Sequence, residues 1–413
     1  MKMNPVKGTA DYLPSQTLLR DYLQNSILET YRAAGFERIL TPAIEDMENL
    51  EKSEGGDNLN LMFKILKRGD KLDAALEKQD YKNLADLGLR YDLTLPLSRF
   101  YAANRAKLSL PFKCIQIDKS YRAERPQKGR MREFVQCDID ILGSDSPLCE
   151  LELIHTTAAA LLKLDIGSFT IKINDRRVLK GVLHNIGIAD DMMDSVCITL
   201  DKWDKIGTEG VMKELGEKEV SAESCEKIAS LLEGGCTIDQ AEQLCGEPTY
   251  IEQLKKIIAD ANELAAGRYD VVFDMLLIRG QGYYTGTVFE IQSNKFRGAI
   301  GGGGRYDEMI GKFTGQNTSA CGFSIGFERI FQILEEQGFT IPGRRKRIAV
   351  ICNEDEGLQA VRMTDKLREQ GVEASAYIKP KKLGKFLNRL EEQGFDGFLV
   401  LGESEEPKYF EAK

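Results

Sequence analysis

Apolar residues recur at helical spacing over about 17–34, where Leu19, Tyr22, Leu23, Ile27 and Tyr31 form one stripe and Gly35 offers a left-handed stop. Gly8–Pro14 before it reads as a short loop. A strand-like run follows at Phe36–Ile44, and Pro42 inside it predicts an edge or interface strand, because proline donates nothing to a ladder. Residues 50–88 are polar except for Leu61–Leu66 and predict a flexible hairpin or insertion. Further strands are expected near 110–120 and 134–143, then a helix over 147–163 and alternation at Phe169–Ile173. From 176 to 266 the texture turns helical and charged, as an inserted subdomain would be. Strand character returns at 270–279 and 286–293, and a strand runs into a helix near 320–337. Beyond a linker at Gly343–Arg347, strands at Ile348–Cys352, Val372–Tyr377 and Phe395–Leu401 alternate with helices at 356–370 and 383–393. That order implies a small parallel sheet.

Composition narrows the class. A chain of 413 residues suggests two or three domains, and 42% hydrophobic with 29% charged residues excludes a disordered or collagen-like protein. No run approaches eighteen apolar residues, and Met1–Pro5 has no apolar leader, so a cytoplasmic protein with no membrane partner is expected. A net charge of −9 argues against an indiscriminate nucleic-acid coat. Nine cysteines, scattered singly, read as reduced thiols. With only His155 and His184, HExxH metalloproteases and most His-rich metal sites are excluded.

Three clusters place charge among apolar runs. Tyr121–Arg132 holds five cations in twelve residues, enough to bind a polyanion through arginine forks. Ile278–Tyr284 puts Arg279 at a strand end beside glycines. Ala320–Arg329 carries an apolar strand through Gly322 and Gly326 into a helix opening with Glu328 and Arg329. No Walker A motif is present, so phosphate binding would be arginine-based, on an antiparallel sheet.

In this order the clusters resemble histidyl-tRNA synthetase, a class II aminoacyl-tRNA synthetase, over nearly the whole chain. Gly8–Pro14 is similar to the family's N-terminal loop, the Pro42 strand to the dimer-forming motif 1, and Leu89–Thr94 to the substrate loop. Arg122–Arg130 resembles motif 2, Arg279–Tyr284 the histidine-specific motif, and Gly322–Arg329 motif 3. The resemblance implies an α+β fold: a six- or seven-stranded antiparallel sheet flanked by helices, from residues 1–175 and 267–335. A helical insertion would occupy 176–266, and a small C-terminal α/β domain, like the anticodon-binding one, 346–413. It also implies a homodimer that activates L-histidine with ATP and passes it to tRNA(His).

Site roles follow from the same resemblance. Arg122 would hold the α-phosphate and the substrate carboxylate, with Arg279 on the other side of that phosphate. Arg329 would grip the γ-phosphate, Glu124 the adenine, and Arg130 would join the ATP site; Mg2+ would bridge the outer phosphates, with no protein side chain assigned to it. Asp92, Thr94 and Gln136 would receive the ammonium, and Leu93 would join the histidine site. Asp140 and Tyr284 would take the two imidazole nitrogens, lined by Tyr283 and Tyr306. Gln136 and Asp140, four apart on a strand, face the same way.

Departures from the family pattern are Gly282 in place of an aspartate, Asp92 in place of a glutamate common in bacterial members, and a shortened segment after Leu401. They leave an alternative, a catalytically silent relative acting as regulatory subunit of ATP phosphoribosyltransferase. A nucleic-acid-binding module without catalysis would explain the basic segment but not Asp140, Arg279 and Arg329.

Overall fold

The first stripe forms α1 (Pro14–Ala33); its Leu23, Ile27 and Tyr31 are buried, and Gly35, at φ 82°, follows its end. The run after it is not one strand. It breaks around Pro42 into β1 (Glu37–Arg38) and β2 (Ile44–Asp46), which join different sheets. After α2 (Met47–Ser53), the expected hairpin or insertion holds β3 (Lys64–Leu66), α3 (Asp70–Glu77) and β4 (Ala85–Leu89). Strands β2, β4 and β3, in that order, make a small antiparallel sheet.

The chain continues through α4 (Thr94–Asn104), β5 (Phe112–Tyr121), β6 (Glu133–Leu142), α5 (Leu148–Lys163) and β7 (Phe169–Asp175). Residues 176–265 then hold six helices: α6 (Arg176–Ile186), α7 (Met193–Leu200), α8 (Trp203–Glu217), α9 (Ala222–Gly234), α10 (Ile238–Cys245) and α11 (Pro248–Ala265). They enclose a core of their own, including Val178, Leu183, Val196, Leu215 and Ile228. Return to the sheet is by β8 (Asp270–Phe273), β9 (Thr287–Ser293), β10 (Ala299–Arg305), α12 (Asp307–Thr314), β11 (Ala320–Gly326) and α13 (Phe327–Glu336). The computed structural model describes residues 2–53, 60–246, 248–278 and 283–410, so Arg279, Gly280, Gln281 and Gly282 lie outside the described residues.

The main sheet runs β1-β5-β6-β11-β10-β9-β7-β8. Its interior pairs are antiparallel, but both outer pairs, β1–β5 and β7–β8, are parallel. The expected antiparallel sheet thus gains two short parallel edges and reaches eight strands. At its centre β10 is a strand of Gly301, Gly302, Gly303 and Gly304, a composition that sequence alone does not mark as strand. Close packing explains it: a Cβ on Gly303 would fall 2.0 Å from the Gly322 carbonyl oxygen of β11.

The chain divides into two compact units, Met1–Asp11 with Leu23–Gln337 and Tyr12–Tyr22 with Gly338–Lys413. In the second, β12 (Arg347–Cys352), α14 (Gly357–Glu369), β13 (Glu373–Ile378), α15 (Leu383–Glu392) and β14 (Gly397–Val400) form the expected parallel arrangement. A further strand, β15 (Lys408–Tyr409), adds antiparallel to β14. All nine cysteines are free thiols. Among the described residues no helix is long and apolar enough to cross a membrane.

One buried ion pair fastens the sheet to its helical layer. Arg305, the last residue of β10, donates Nε and Nη2 to the two carboxylate oxygens of Glu150 on α5, each at 2.8 Å. Their side chains are 5% and 3% exposed, and Thr287 donates its hydroxyl to the same carboxylate at 2.9 Å. Burial works against the guanidinium charge, but the Glu150 bonds outweigh it and hold Arg305 protonated. Breaking such a pair from one side leaves a buried charge, which costs about 3–5 kcal/mol. Arg305→Met should lower the urea-unfolding stability by that amount, and adding Glu150→Leu should recover most of it.

Candidate active site

Alternation along β6 builds the floor of a cleft of about 930 Å³. Cys137, Ile139 and Ile141 are fully buried on one face, while Gln136, Asp138 and Asp140 line the cleft from the other. Asp140 pairs in register with Gly322 of β11, and the missing side chain is what gives it room: a Cβ there would sit 1.9 Å from Asp140 Oδ1. Tyr306, immediately after β10, donates its hydroxyl to that same oxygen at 2.5 Å. Its ring meets Tyr283 edge-on at 6.1 Å, and Tyr283 packs on Tyr284 at 4.7 Å, so this end is acidic and aromatic.

The other end is cationic. Arg122 leaves β5, donates Nε to the Tyr91 carbonyl at 3.2 Å and lies 4.2 Å from the Tyr91 ring centre, with Phe134 at 5.2 Å. Such stacking fixes a guanidinium without using up its fork. Downstream, the backbones of Gln127 and Arg130 exchange hydrogen bonds across a two-residue turn, Lys128–Gly129. Gly129 takes φ 69°, and a Cβ on it would fall 2.5 Å from the Phe296 ring. Glu124 pairs with Arg130 at 3.3 Å. Arg329 enters from α13, donating Nη1 to the Ala299 carbonyl and Nε to that of Gly129 at 3.5 Å. Beside it, Glu328 is buried and accepts the Val135 N–H at 3.2 Å, tying α13 to β6.

Burial dominates the acid group. It pushes the Asp140 carboxyl up to about 7, against the Tyr306 hydrogen bond, which favours the ion. Asp138 is raised as well, by burial first and then by the charge of Asp140. Asp92 is also raised by burial, offset by the Leu95 N–H and by Arg122. Burial thus favours the neutral form of these acids, and a cation placed beside them would favour their ionised form.

Thr94, Arg122, Glu124, Arg130, Gln136, Asp140, Tyr283, Tyr284, Tyr306 and Arg329 thus share one cleft. Asp92 and Leu93 do not line it. Asp92 Oδ1 accepts the Leu95 N–H at 3.2 Å at the start of α4, and Leu93, wholly buried, takes the Gln116 side-chain amide on its carbonyl at 2.8 Å. Arg279 lies outside the described residues. Sequence reasoning missed Asp138, although the alternation joining Gln136 to Asp140 passes through it. It also missed Glu290, Arg297 and Trp203, which line the cleft from elements remote in sequence and carry no local signal.

The comparisons with known proteins agree on one family. A profile described as histidyl-tRNA synthetase matches residues 8–330. A curated histidine–tRNA ligase of Leifsonia xyli subsp. xyli is 43% identical over 349 residues, 81% of this chain and 80% of that protein. The crystal structure of histidyl-tRNA synthetase from a Nostoc species matches with a TM-score of 0.79 at 26% identity, covering 96% of this chain and 91% of that one. A Bacillus halodurans structure described as an ATP phosphoribosyltransferase regulatory subunit/histidyl-tRNA synthetase also reaches 0.79, over 97% and 98%; at 20% identity it speaks for the fold alone.

The acid end makes a pH prediction. Asp140 keeps its proton to about pH 7 when folded but releases it near 3.8 when unfolded, so its contribution to stability is lost as pH rises between those values. Asp140→Asn should flatten that part of the urea-stability profile. Tyr306→Phe removes a donor that favours the carboxylate, so the Asp140 midpoint, followed by carboxyl carbon NMR, should move upward. A downward move would mean that the hydroxyl does not stabilise the ion.

Proposed function

The chain belongs to the histidyl-tRNA synthetase family, and we propose that its cleft takes L-histidine at the acidic, tyrosine-lined end and ATP at the arginine-rich end. The protein is a histidine–tRNA ligase. It activates L-histidine with ATP to histidyl-adenylate and transfers the histidyl group to tRNA(His). The observation that supports the site assignment is the division of one cleft into an acidic, aromatic end and a cationic end that holds Arg122.

In the first step a carboxylate oxygen of histidine bonds to the α-phosphorus of ATP, the bond to the β-phosphate oxygen breaks, and pyrophosphate leaves. In the second a ribose hydroxyl at the tRNA terminus attacks the acyl carbon and AMP leaves. Positioning and charge stabilisation carry such chemistry. Arg122, locked by stacking on Tyr91, would hold the substrate carboxylate against the α-phosphate, with Arg279 opposite. Arg329 and Arg130 would hold the outer phosphates, and Glu124 the adenine. Asp140 would accept a hydrogen bond from one imidazole nitrogen and Tyr284 would serve the other, in a pocket walled by Tyr283 and Tyr306; Thr94 and Gln136 would contact the ammonium.

Mg2+ would enter on the outer phosphates of ATP and would supply charge neutralisation there. The helical stretch 176–266 would be an insertion into a core of 1–175 and 267–335, and 346–413 an anticodon-binding-like domain. We place the protein in the cytoplasm as a homodimer; the exposed apolar side chains of Leu40 and Ile44, on the segment resembling motif 1, support the dimer.

The purified protein should catalyse histidine-dependent exchange of pyrophosphate into ATP and charge tRNA(His). Absence of exchange would favour the regulatory-subunit reading. Asp140→Ala should raise KM for histidine at least about tenfold, since losing one partner leaves the other buried and unpaired. The KM for ATP should hardly move; parallel losses would remove Asp140 from the histidine pocket.

A further inference from the structure

The segment between Leu277 and Gly286 brings Tyr283 and Tyr284 to the cleft, and Arg279 follows Leu277 by two positions in the chain. Both flanks of that segment are fastened at the corner where β7 passes into α6. Asn174, wholly buried, donates its side-chain amide to the Met275 carbonyl at 2.8 Å and to the Leu277 carbonyl at 3.2 Å. Two residues on, the Arg176 N–H donates to the Gly286 carbonyl at 3.0 Å. One corner therefore grips the chain as it enters the segment and again as it leaves. The corner is itself stiff. Asp175 accepts the Arg177 N–H at 2.8 Å and pairs with the Arg177 guanidinium at 2.6 Å, while Asn174 sits in register with Val288 of β9. Asn174 does not line the cleft, so any effect it has on substrate passes through the segment it holds.

We propose that Asn174 is a positioning residue for histidine recognition and activation, holding the 278–285 segment so that Tyr283, Tyr284 and Arg279 meet the substrate. The inference rests on the histidine-binding reading of the cleft and adds to it a residue outside the cleft. An amide suits the task because it offers two N–H donors from one planar group, one for each carbonyl. Residues 274–277 turn tightly, with the Leu277 N–H on the Asp274 carbonyl and the Leu276 N–H on Asp274 Oδ1, both at 3.0 Å. That turn leaves its Met275 and Leu277 carbonyls facing the sheet, where an apolar side chain at 174 would take both bonds away. Tying the two ends of a segment at one place removes conformations it would otherwise sample. Catalytic groups need such restraint, since a misplacement of about 1 Å can cost on the order of a hundredfold in rate.

Histidine-dependent pyrophosphate exchange by the full chain tests the assignment, with KM and kcat read separately for each substrate. Asn174→Ala should raise KM for L-histidine at least about tenfold and lower kcat by about as much, while KM for ATP changes by less than about threefold. Asn174→Ser, which keeps one donor on a shorter side chain, should fall in between. A control separates positioning from mere support of the fold. Asn262 on α11 grips β8 in the same manner, donating Nδ2 to the Val271 carbonyl at 2.8 Å and accepting the Val271 N–H at 2.9 Å, upstream of the segment. Asn262→Ala should lower the urea midpoint and leave KM for histidine within about twofold, because lost stability alone reduces the folded fraction and not the affinity of what remains folded. If the Asn174 variants lowered only the urea midpoint, or if Asn262→Ala raised KM for histidine equally, the positioning role would be overturned. If the unaltered protein showed no histidine-dependent exchange, the histidine reading of the cleft would fall first, and this inference with it.

Discussion

The cleft exists because side chains are missing from the middle of the sheet. Gly301, Gly303 and Gly304 in β10 and Gly322 in β11 lie where a Cβ would meet backbone or the Asp140 carboxylate. Their absence lets three strands approach and lets Asp140 reach Tyr306 across a bare strand. Glycine lowers strand stability through its conformational freedom and its lack of packing surface. Here neighbours restrain it: β10 is hydrogen-bonded on both sides, to β9 and β11, and its last residue is fastened to α5 through Arg305 and Glu150. A weak strand composition is tolerable where the surroundings determine the backbone.

That floor carries the electrostatics. Three carboxylates, Asp92, Asp138 and Asp140, are buried within one unit, and each is pushed toward its neutral form. The arginines nearby do not cancel this, because Arg122 is held by Tyr91 and Phe134, and Arg329 by backbone carbonyls. Glu124 pairs with Arg130 at 3.3 Å within the cationic end, while Asp140 is bonded by the Tyr306 hydroxyl within the acid end, so each end engages its own groups. A zwitterionic amino acid with a basic ring fits such a separation. In the proposed reading its cationic groups would meet the acids, and its carboxylate would meet the arginine shared with the nucleotide.

Much of this could be read from the chain. Hydrophobic spacing located α1, β5, β6, α5 and the strand–helix order of the second unit, because those elements bury one face and so carry a period. Motif order pointed to the cleft residues from Thr94 to Arg329. What stayed hidden depended on tertiary contact. The run around Pro42 divided between two sheets, since strand pairing is not written in a local pattern. Four glycines formed a strand because of what lies beside them. Asp92, in the segment resembling the substrate loop, also accepts the Leu95 N–H on Oδ1 at the start of α4, a contact that no local pattern announces. Arg90 looked like part of the same loop. It is 1% exposed and binds the Lys119 and Thr41 carbonyls at 2.6 and 2.8 Å and Asp118 at 2.9 Å, so it fastens the loop rather than facing substrate.

Arg305 and Tyr306 show how support and chemistry are joined by one peptide unit. The Arg305 side chain turns to Glu150, while its carbonyl accepts the Thr285 N–H at 2.8 Å. The Tyr306 N–H goes to the Ala320 carbonyl at 2.8 Å, and the Asp307 N–H to the Thr285 hydroxyl at 3.1 Å. With successive backbone groups bonded in this way, the Tyr306 ring has little freedom to leave Asp140. A hydrogen bond that tunes a carboxyl is useful only if its donor stays in place, and a short, bidentate, buried ion pair one residue away is a stiff support for it. The ion pair therefore matters less as a store of stability than as the reason the acid end of the cleft has one geometry.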